Sequence, residues 1–246
     1  MIEWLGLPAA ASAHAGAVDQ LMLLVHGLML VLFVGWATFF VYVLVRFRQS
    51  RQPVARYHGV QARWSSWLEG GVLAAEVVLL AFFSIPLWSA RVDALPAEPQ
   101  STVVRVVAEQ FAWNVHYPGA DGVFGRTRIT LVNPDNPLGL DRRDPAAQDD
   151  ITTINRLNFP VGKPVLVYLS TKDVVHSFGL PQMRVKLDAT PGLVQPVWFT
   201  ATQTGEWDIA CSQLCGLGHF RMRGKYASQT PAEFDAWLAA EAALLQ

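Results

Sequence analysis

The sequence predicts two fold classes in one chain: a two-helix transmembrane hairpin, then an all-β sandwich or barrel that closes with a short helix. Two long runs without a net-charged stretch fall within the first 90 positions, and short β-branched runs bounded by Gly and Pro follow them. Eighteen Gly and fifteen Pro among 246 residues suit a turn-rich sheet domain better than a helical bundle. The length allows a membrane part and one domain of ordinary size. A net charge of −1 gives no basis for nucleic acid as a partner.

Residues 1–19 are rich in small side chains and slightly acidic. Ala11-Ser12-Ala13 resembles a peptidase cleavage site, but the segment lacks a basic start and Pro8 breaks its short apolar run, so it is not read as a signal peptide. Residues 20–45 carry no formal charge and reach Arg46, long enough to cross the hydrocarbon core. His26 lies inside this run and reads as a histidine hydrogen-bonded to a neighbour, not as a ligand. Arg46, Arg48, Arg51, Arg56 and Arg63 fill the connection 46–69, whose only acid is Glu69 at its far end. The positive-inside rule makes that loop cytoplasmic, with the N-terminal segment and everything after the second span on the outer side. The second span is 71–90, with Pro86 near its outer end and one ionisable residue, Glu76. Glu76 reads either as a functional group at membrane depth or as a neutral acid hydrogen-bonded inside a helix bundle. Two helices alone make a poor catalytic unit, which points to a larger membrane partner.

Residues 91–101, with Pro96 and Pro99, read as a linker, and the β domain is expected over 102–246. Seven strand-like runs are expected, at 102–108, 110–117, 126–132, 165–170, 194–201, 206–210 and 219–227. Residues 133–150 hold Pro134, Pro137 and Pro145 among polar side chains and read as a long surface loop. Thr230-Pro231-Ala232-Glu233 is a capping box with Pro at the first helical position, so a closing helix is expected over 231–245.

The chemistry is concentrated in Cys211-Ser212-Gln213-Leu214-Cys215-Gly216-Leu217-Gly218-His219-Phe220-Arg221-Met222, which places two thiols, an imidazole and a thioether in twelve residues. Soft sulfur donors together with imidazole suit copper, and a Cys, His and weak Met set is the ligand type of cupredoxin electron-transfer centres. One copper needs one cysteine; a second at C-x3-C lets two thiolates bridge two metals, so the spacing favours a dicopper site. A disulfide between Cys211 and Cys215, the sole cysteines, leaves His219 and Met222 unexplained. Zinc seldom takes a thioether and uses differently paired spacings. The remaining imidazole is His176 in Asp173-Val174-Val175-His176-Ser177-Phe178, 35 residues before Cys211 and next to a strand. His14, His26 and His58 belong to the membrane part, and His116 sits in an aromatic strand-like run as a half-buried residue.

These residues together resemble subunit II of the heme-copper cytochrome c oxidases. Val175-His176-Ser177-Phe178-x2-Pro181 with C-x3-C-x3-H-x2-M carries the resemblance, which covers nearly the whole chain: outward N-terminus, two-helix hairpin, cupredoxin domain. It implies a dinuclear copper A centre in which Cys211 and Cys215 bridge the metals, His176 and His219 supply imidazoles, Met222 is a weak ligand to one copper and the Gln213 carbonyl a weak ligand to the other. It implies a bacterial inner-membrane complex in which a c-type cytochrome donates electrons. They then pass to hemes and CuB in subunit I, where oxygen becomes water and protons are pumped; subunit III and lipid are further partners. Lys186-Leu187-Asp188-Ala189-Thr190-Pro191-Gly192 is similar to the family's segment near the subunit I contact, so Lys186 and Asp188 mark that boundary. Glu69 matches the glutamate at the mouth of one proton channel. The tryptophan where electrons enter has Phe111 in its place, with Trp113 two residues on; two residues apart on a strand share a face, Trp113 reads equally as a core ring, and a mainly apolar docking patch around Phe111, the better candidate for an exposed contact, is expected.

Two departures bear on function. The family usually has Glu where Gln213 stands, its carboxylate binding magnesium at the subunit I boundary; an amide is a weaker ligand for a hard cation, so that magnesium site is expected to be weak or absent. No C-x-x-C-H occurs, so the donor is a separate protein, and retention of the copper ligands argues against quinol as direct donor. A nitric oxide reductase carrying this copper centre and a membrane-tethered copper chaperone are the alternative functions. The first differs in its catalytic partner; the second would bind one Cu(I) without intense visible colour.

Overall fold

The computed structural model describes residues 6–55, 57–58 and 62–245; Arg56, named above in the basic loop, lies outside the described residues. The chain divides into a helical unit, Ala17–Ala90, and a second unit that joins the segment up to Gly16 to everything from Arg91 onward.

In the helical part, α1 (Ala15–Arg46) and the stretch Arg63–Val92 have mean hydropathies of 2.5 and 2.0 over their most apolar windows. None of either window is buried, and side chains such as Phe33 and Phe82 stand 70% and 72% exposed. Surface of this kind is favourable only out of water, and both helices are long enough to cross a bilayer. The second stretch is not one regular helix: α2 (Arg63–Leu79) passes into a π-turn at Leu80–Ser84 and then α3 (Ile85–Val92). The cause lies one residue further on. Pro86 has no N–H for the carbonyl four residues back and crowds it, and the Ile85 N–H instead reaches the Leu80 carbonyl. His26 Nδ1 lies 2.7 Å from the Met22 carbonyl one turn back, so its polar edge is satisfied within α1.

The second unit is a two-sheet β sandwich. One sheet has the order β3 (Ile151–Ile154), β2 (Ala112–Tyr117), β1 (Thr102–Glu109), β5 (Pro164–Thr171), β8 (Gln195–Thr200); the other runs β4 (Arg156–Pro160), β10 (Arg223–Gln229), β9 (Gly205–Cys211), β6 (His176–Leu180), β7 (Val185–Ala189). Alternation explains the first sheet: along β1, Val104, Val106 and Ala108 are buried while Arg105 is exposed. Both sheets feed one core, in which Trp113, Leu157, Phe159, Val167, Phe178, Phe199, Ile209 and Tyr226 are fully buried. Edge-on ring pairs, Trp113 with Phe178 at 5.4 Å and Phe159 with Phe199 at 5.0 Å, lock the layers together. α4 (Pro231–Ala243) closes the chain with the expected reciprocal cap between Thr230 and Glu233.

Several expectations are corrected. Residues 126–132 form no strand: Thr127 makes a single bridge to Leu140, and a 3-10 turn follows at Ile129–Leu131 with Ile129 90% exposed. The run 110–117 begins as a strand only at Ala112, because Gln110 and Phe111 form the turn between β1 and β2; Phe111 and Trp113 therefore do not share one strand face. In 219–227, His219–Arg221 is a 3-10 turn and the strand starts at Arg223. The stretch 133–150 is not wholly a surface loop, since Leu140, Asp141 and Asp150 are buried. His116 is fully buried, not half-buried. Its Nε2 meets Asp150 Oδ2 at 2.6 Å, and the same carboxylate oxygen accepts the Gly125 N–H at 2.8 Å, fastening this stretch to β2.

The segment before α1 belongs to the sandwich. Ser12 bridges Ala201 just past the edge strand β8, the Ala13 N–H donates to the Thr200 carbonyl at 2.9 Å and the Thr202 N–H to the Ala11 carbonyl at 2.9 Å. The Ser12 hydroxyl donates to the Met183 carbonyl at 2.7 Å, and Ala11 is fully buried.

Candidate metal centre

Two adjacent strands deliver the donors. β6 starts at His176 and β9 ends at Cys211; they run antiparallel with Phe178 opposite Cys211, so both donors stand at one end of the sheet. Beyond Cys211 the chain turns back through Cys215, Gly216 (φ +134°) and the 3-10 turn at His219 before β10 takes it away.

The sulfur atoms of Cys211 and Cys215 lie 3.8 Å apart, both as free thiols. Cys215 Sγ is 3.7 Å from His219 Nδ1 and 3.6 Å from Met222 Sδ. Met222 Sδ is 3.1 Å from His176 Nδ1, and the Gln213 carbonyl oxygen is 3.3 Å from Cys211 Sγ. One donor atom from each of His176, Cys211 and Cys215 falls within 4.8 Å of the other two. Donors around a four-coordinate metal with bonds of about 2.0–2.3 Å sit roughly 3.3–3.8 Å apart, so the set has the spacing of groups sharing metal. His219 and Met222 both stand beside the Cys215 thiol, and the Gln213 carbonyl stands beside that of Cys211. Two thiols, two imidazoles and a thioether are a soft set, and the residues fit copper.

His176, Cys215 and Met222 are almost fully buried, which keeps water from the donors. Burial, reinforced by the neighbouring Cys211 thiol, pushes the Cys215 thiol up to about 11. A metal must therefore displace a firmly held proton, and binding releases it.

The sequence reasoning missed the supports. Asp173 Oδ1 lies 2.8 Å from His176 Nε2, while its Oδ2 accepts the Gln110 N–H at 2.7 Å. Burial alone would raise this carboxyl, but the bonds from His176 and from the Gln110 and Val174 N–H groups outweigh it and hold Asp173 below the usual carboxylate range. An ionised carboxylate only accepts, so Nε2 carries the proton and Nδ1 presents its lone pair to the thioether side. An acid three residues before a histidine is a signal the sequence offered; nothing there announced Gln110.

The other expected residues are placed as follows. Phe111 is partly buried in the β1–β2 turn, whereas Trp113 is fully buried with its ring 6.2 Å edge-on from that of His176, so Trp113 cannot touch a docking partner. Lys186 and Asp188 lie on β7, directly paired with the strand of His176, and form an exposed pair at 3.4 Å. Glu69 lies on α2, where it accepts the Ser65 hydroxyl at 3.0 Å.

A two-sheet β domain with Cys, His and Met donors gathered at one end of adjacent strands is a cupredoxin-type domain. Residues 102–227 match the family described as "Cytochrome C oxidase subunit II, periplasmic domain". The chain is 32% identical to the alternative cytochrome c oxidase subunit 2 of Bradyrhizobium diazoefficiens, over 96% of this chain and 83% of that one. It is 35% identical to cytochrome c oxidase subunit 2 of Thermostichus vulcanus, over 55% of this chain and 32% of that one. It is also similar to the crystal structure of the periplasmic domain of subunit II of cytochrome oxidase of Bradyrhizobium japonicum, with 28% identity and a TM-score of 0.46, covering 62% of this chain and all of that one. The chain belongs to the cytochrome c oxidase subunit II family and is a subunit of an oxidoreductase complex whose catalysis resides in a partner subunit.

Proposed function

We propose that this chain is the subunit through which electrons enter a respiratory heme-copper oxidase. It takes them one at a time from a c-type cytochrome and passes them to hemes in subunit I, where oxygen is reduced to water with proton pumping. The observation that carries this reading is the convergence of His176, Cys211, Cys215, His219, Met222 and the Gln213 carbonyl on one small volume. These residues would hold a dinuclear copper A centre, which supplies a one-electron site whose bonds change little because both metals share the charge. Cys211 and Cys215 would be the shared thiolate donors, His176 and His219 would supply the imidazoles, and Met222 and the Gln213 carbonyl would be weak ligands.

The protein's own work is positioning and exclusion. Asp173 fixes the tautomer and ring plane of His176, as an outer partner does for a ligating histidine. β6 and β9 tie the His176 and Cys211 ends together, so donors move little as charge changes. The β domain lies on the outer side of the membrane, with the basic loop inside. Lys186 and Asp188 lie at the subunit I boundary, Glu69 at a proton-channel mouth, and electrons enter near Phe111. Gln213 leaves the boundary magnesium site weak.

The test is the EPR and absorption spectrum of the full chain in detergent, loaded with copper. Hyperfine structure from two equivalent copper nuclei and intense visible colour are expected. A single-nucleus pattern would remove the dinuclear claim, and colourless Cu(I) binding would favour a chaperone.

A further inference from the structure

We infer that the β1–β2 turn, Gln110-Phe111, is a positioning clamp that holds both donor-bearing segments at once, and that residues 216 and 218 are glycine because the Phe111 ring lies against them. What the clamp positions rests on the copper reading above; the contacts themselves belong to the metal-free chain.

The ligand loop needs such a device. Leu214, Leu217 and Phe220 do not anchor it, being 77%, 97% and 87% exposed; of its apolar side chains, Cys215 and Met222 reach the core. The two ends of the loop are fastened, the Ser212 N–H donating to the Ser177 carbonyl at 3.1 Å and the Cys211 N–H to the Met222 carbonyl at 3.4 Å, but between them the backbone makes short-range bonds, such as His219 N–H to the Gly216 carbonyl and Met222 N–H to the His219 carbonyl, both 3.1 Å. These shape a turn but do not fix where it sits. Fixing comes from Gln110, whose Nε2 donates to the Cys215 carbonyl at 2.6 Å.

Phe111 supplies the second hold. A Cβ placed on Gly218 would fall 2.4 Å from Phe111 Cδ2 and 2.6 Å from its Cε2 and Cγ. A Cβ on Gly216 would meet Gln110 Nε2 at 2.6 Å and Phe111 Cζ at 3.2 Å, and its φ of +134° already disfavours any side chain. The loop backbone thus lies flat on the ring, at a distance only glycine permits. On its other side the same turn reaches the His176 segment, since the Gln110 N–H donates to Asp173, which in turn holds His176. One two-residue turn therefore holds both the His176 segment of β6, through Asp173, and the Cys215 part of the loop that follows β9. A ring that merely filled core would show no such pairing with particular glycines.

The experiment is a double-mutant cycle on the full chain in detergent, read in two ways. The first is amide exchange across residues 211–222 without metal; the second is copper affinity by competition, with the reduction potential of the loaded protein. Phe111→Ala is expected to speed exchange in the loop and lower copper affinity about 10- to 100-fold, the range for outer partners of a metal ligand. Gly218→Ala should do more damage alone than in combination with Phe111→Ala, because removing the ring opens the space the methyl needs. Phe111→Leu, which keeps an apolar filler, should fold if the alanine variant does not and show an intermediate effect. Strictly additive effects of Phe111→Ala and Gly218→Ala, or unchanged loop exchange in Phe111→Ala and Phe111→Leu, would overturn the clamp. Coupling seen in metal-free exchange in a chain that takes up no copper would uphold the clamp and overturn the copper reading.

Discussion

Asp173 holds His176 by the nitrogen remote from the donor cluster: 2.8 Å separates Oδ1 from Nε2, and Nδ1 points the opposite way, 3.1 Å from Met222 Sδ. The carboxylate accordingly decides which nitrogen is free to bind. Asp173→Ala should weaken copper binding about 10- to 100-fold and broaden the EPR spectrum. Asp173→Asn, whose carbonyl can still accept from Nε2, should lose much less. Equal losses in the two variants, measured by competition with a chelator, would mean that Asp173 acts by packing and not by orienting the ring.

A pH effect is expected from His14. Burial, then the nearby Arg91 charge, lowers its pKa from 6.5 to about 4, so the fold accommodates the neutral ring and resists the charged one. The unfolded chain binds the proton first as pH falls. His14's contribution is therefore fully present above pH 6.5 and is lost between 6.5 and about 4. Thermal melts of His14→Gln should show a shallower fall in stability across that window than the parent chain; identical slopes would rule this out.

Breaking the His116–Asp150 pair should damage the fold without touching a copper ligand. Both side chains are almost fully out of water, and Asp150→Ala strands the imidazole while freeing the Gly125 N–H. A loss of about 1–3 kcal/mol is expected by denaturant titration, the usual cost of leaving a buried polar group without its hydrogen-bond partner. The copper spectrum of the protein that remains folded should be unaltered.

Gln213 gives the remaining expectation. Its side chain is exposed and carries no charge, so the assembled complex should not hold stoichiometric manganese at that residue. Manganese EPR on the purified complex would contradict this if a bound signal disappeared in Gln213→Ala.

What the sequence made legible was set by how local the signal was. Cys211, Cys215, His219 and Met222 announce themselves because chemistry and spacing sit in one loop. His176 could be joined to them because a lone histidine beside a strand was needed. The two spans and the Thr230 cap are likewise local. By contrast β4 and β6 were missed because they are buried on both sides, with no alternation to read, and β4 ends in Pro160. Residues 126–132 alternate well but meet no partner strand beyond Thr127, so periodicity alone misled. His116 with Asp150, and Gln110 with Cys215, are pairs 34 and 105 residues apart, and nothing in either member announces the other.

The seating of Ser12 on the sandwich constrains how the chain can be assembled. Its hydroxyl is bonded to a carbonyl 171 residues later, so the segment around Ser12 completes a sheet edge that is synthesised long after it. Closing so long a loop is slow when left to the free chain. Both intervening helices are long and apolar enough to cross a bilayer; laid across one, their even number of crossings would return the chain to the face it left, and the two ends would need only to find each other in a plane. A third crossing, or the loss of one, would leave Ser12 and Met183 on opposite faces and the β8 edge bare to pair with another copy. Counting spans correctly would then be a condition for folding the β domain, and errors in membrane insertion should surface as aggregation outside the membrane.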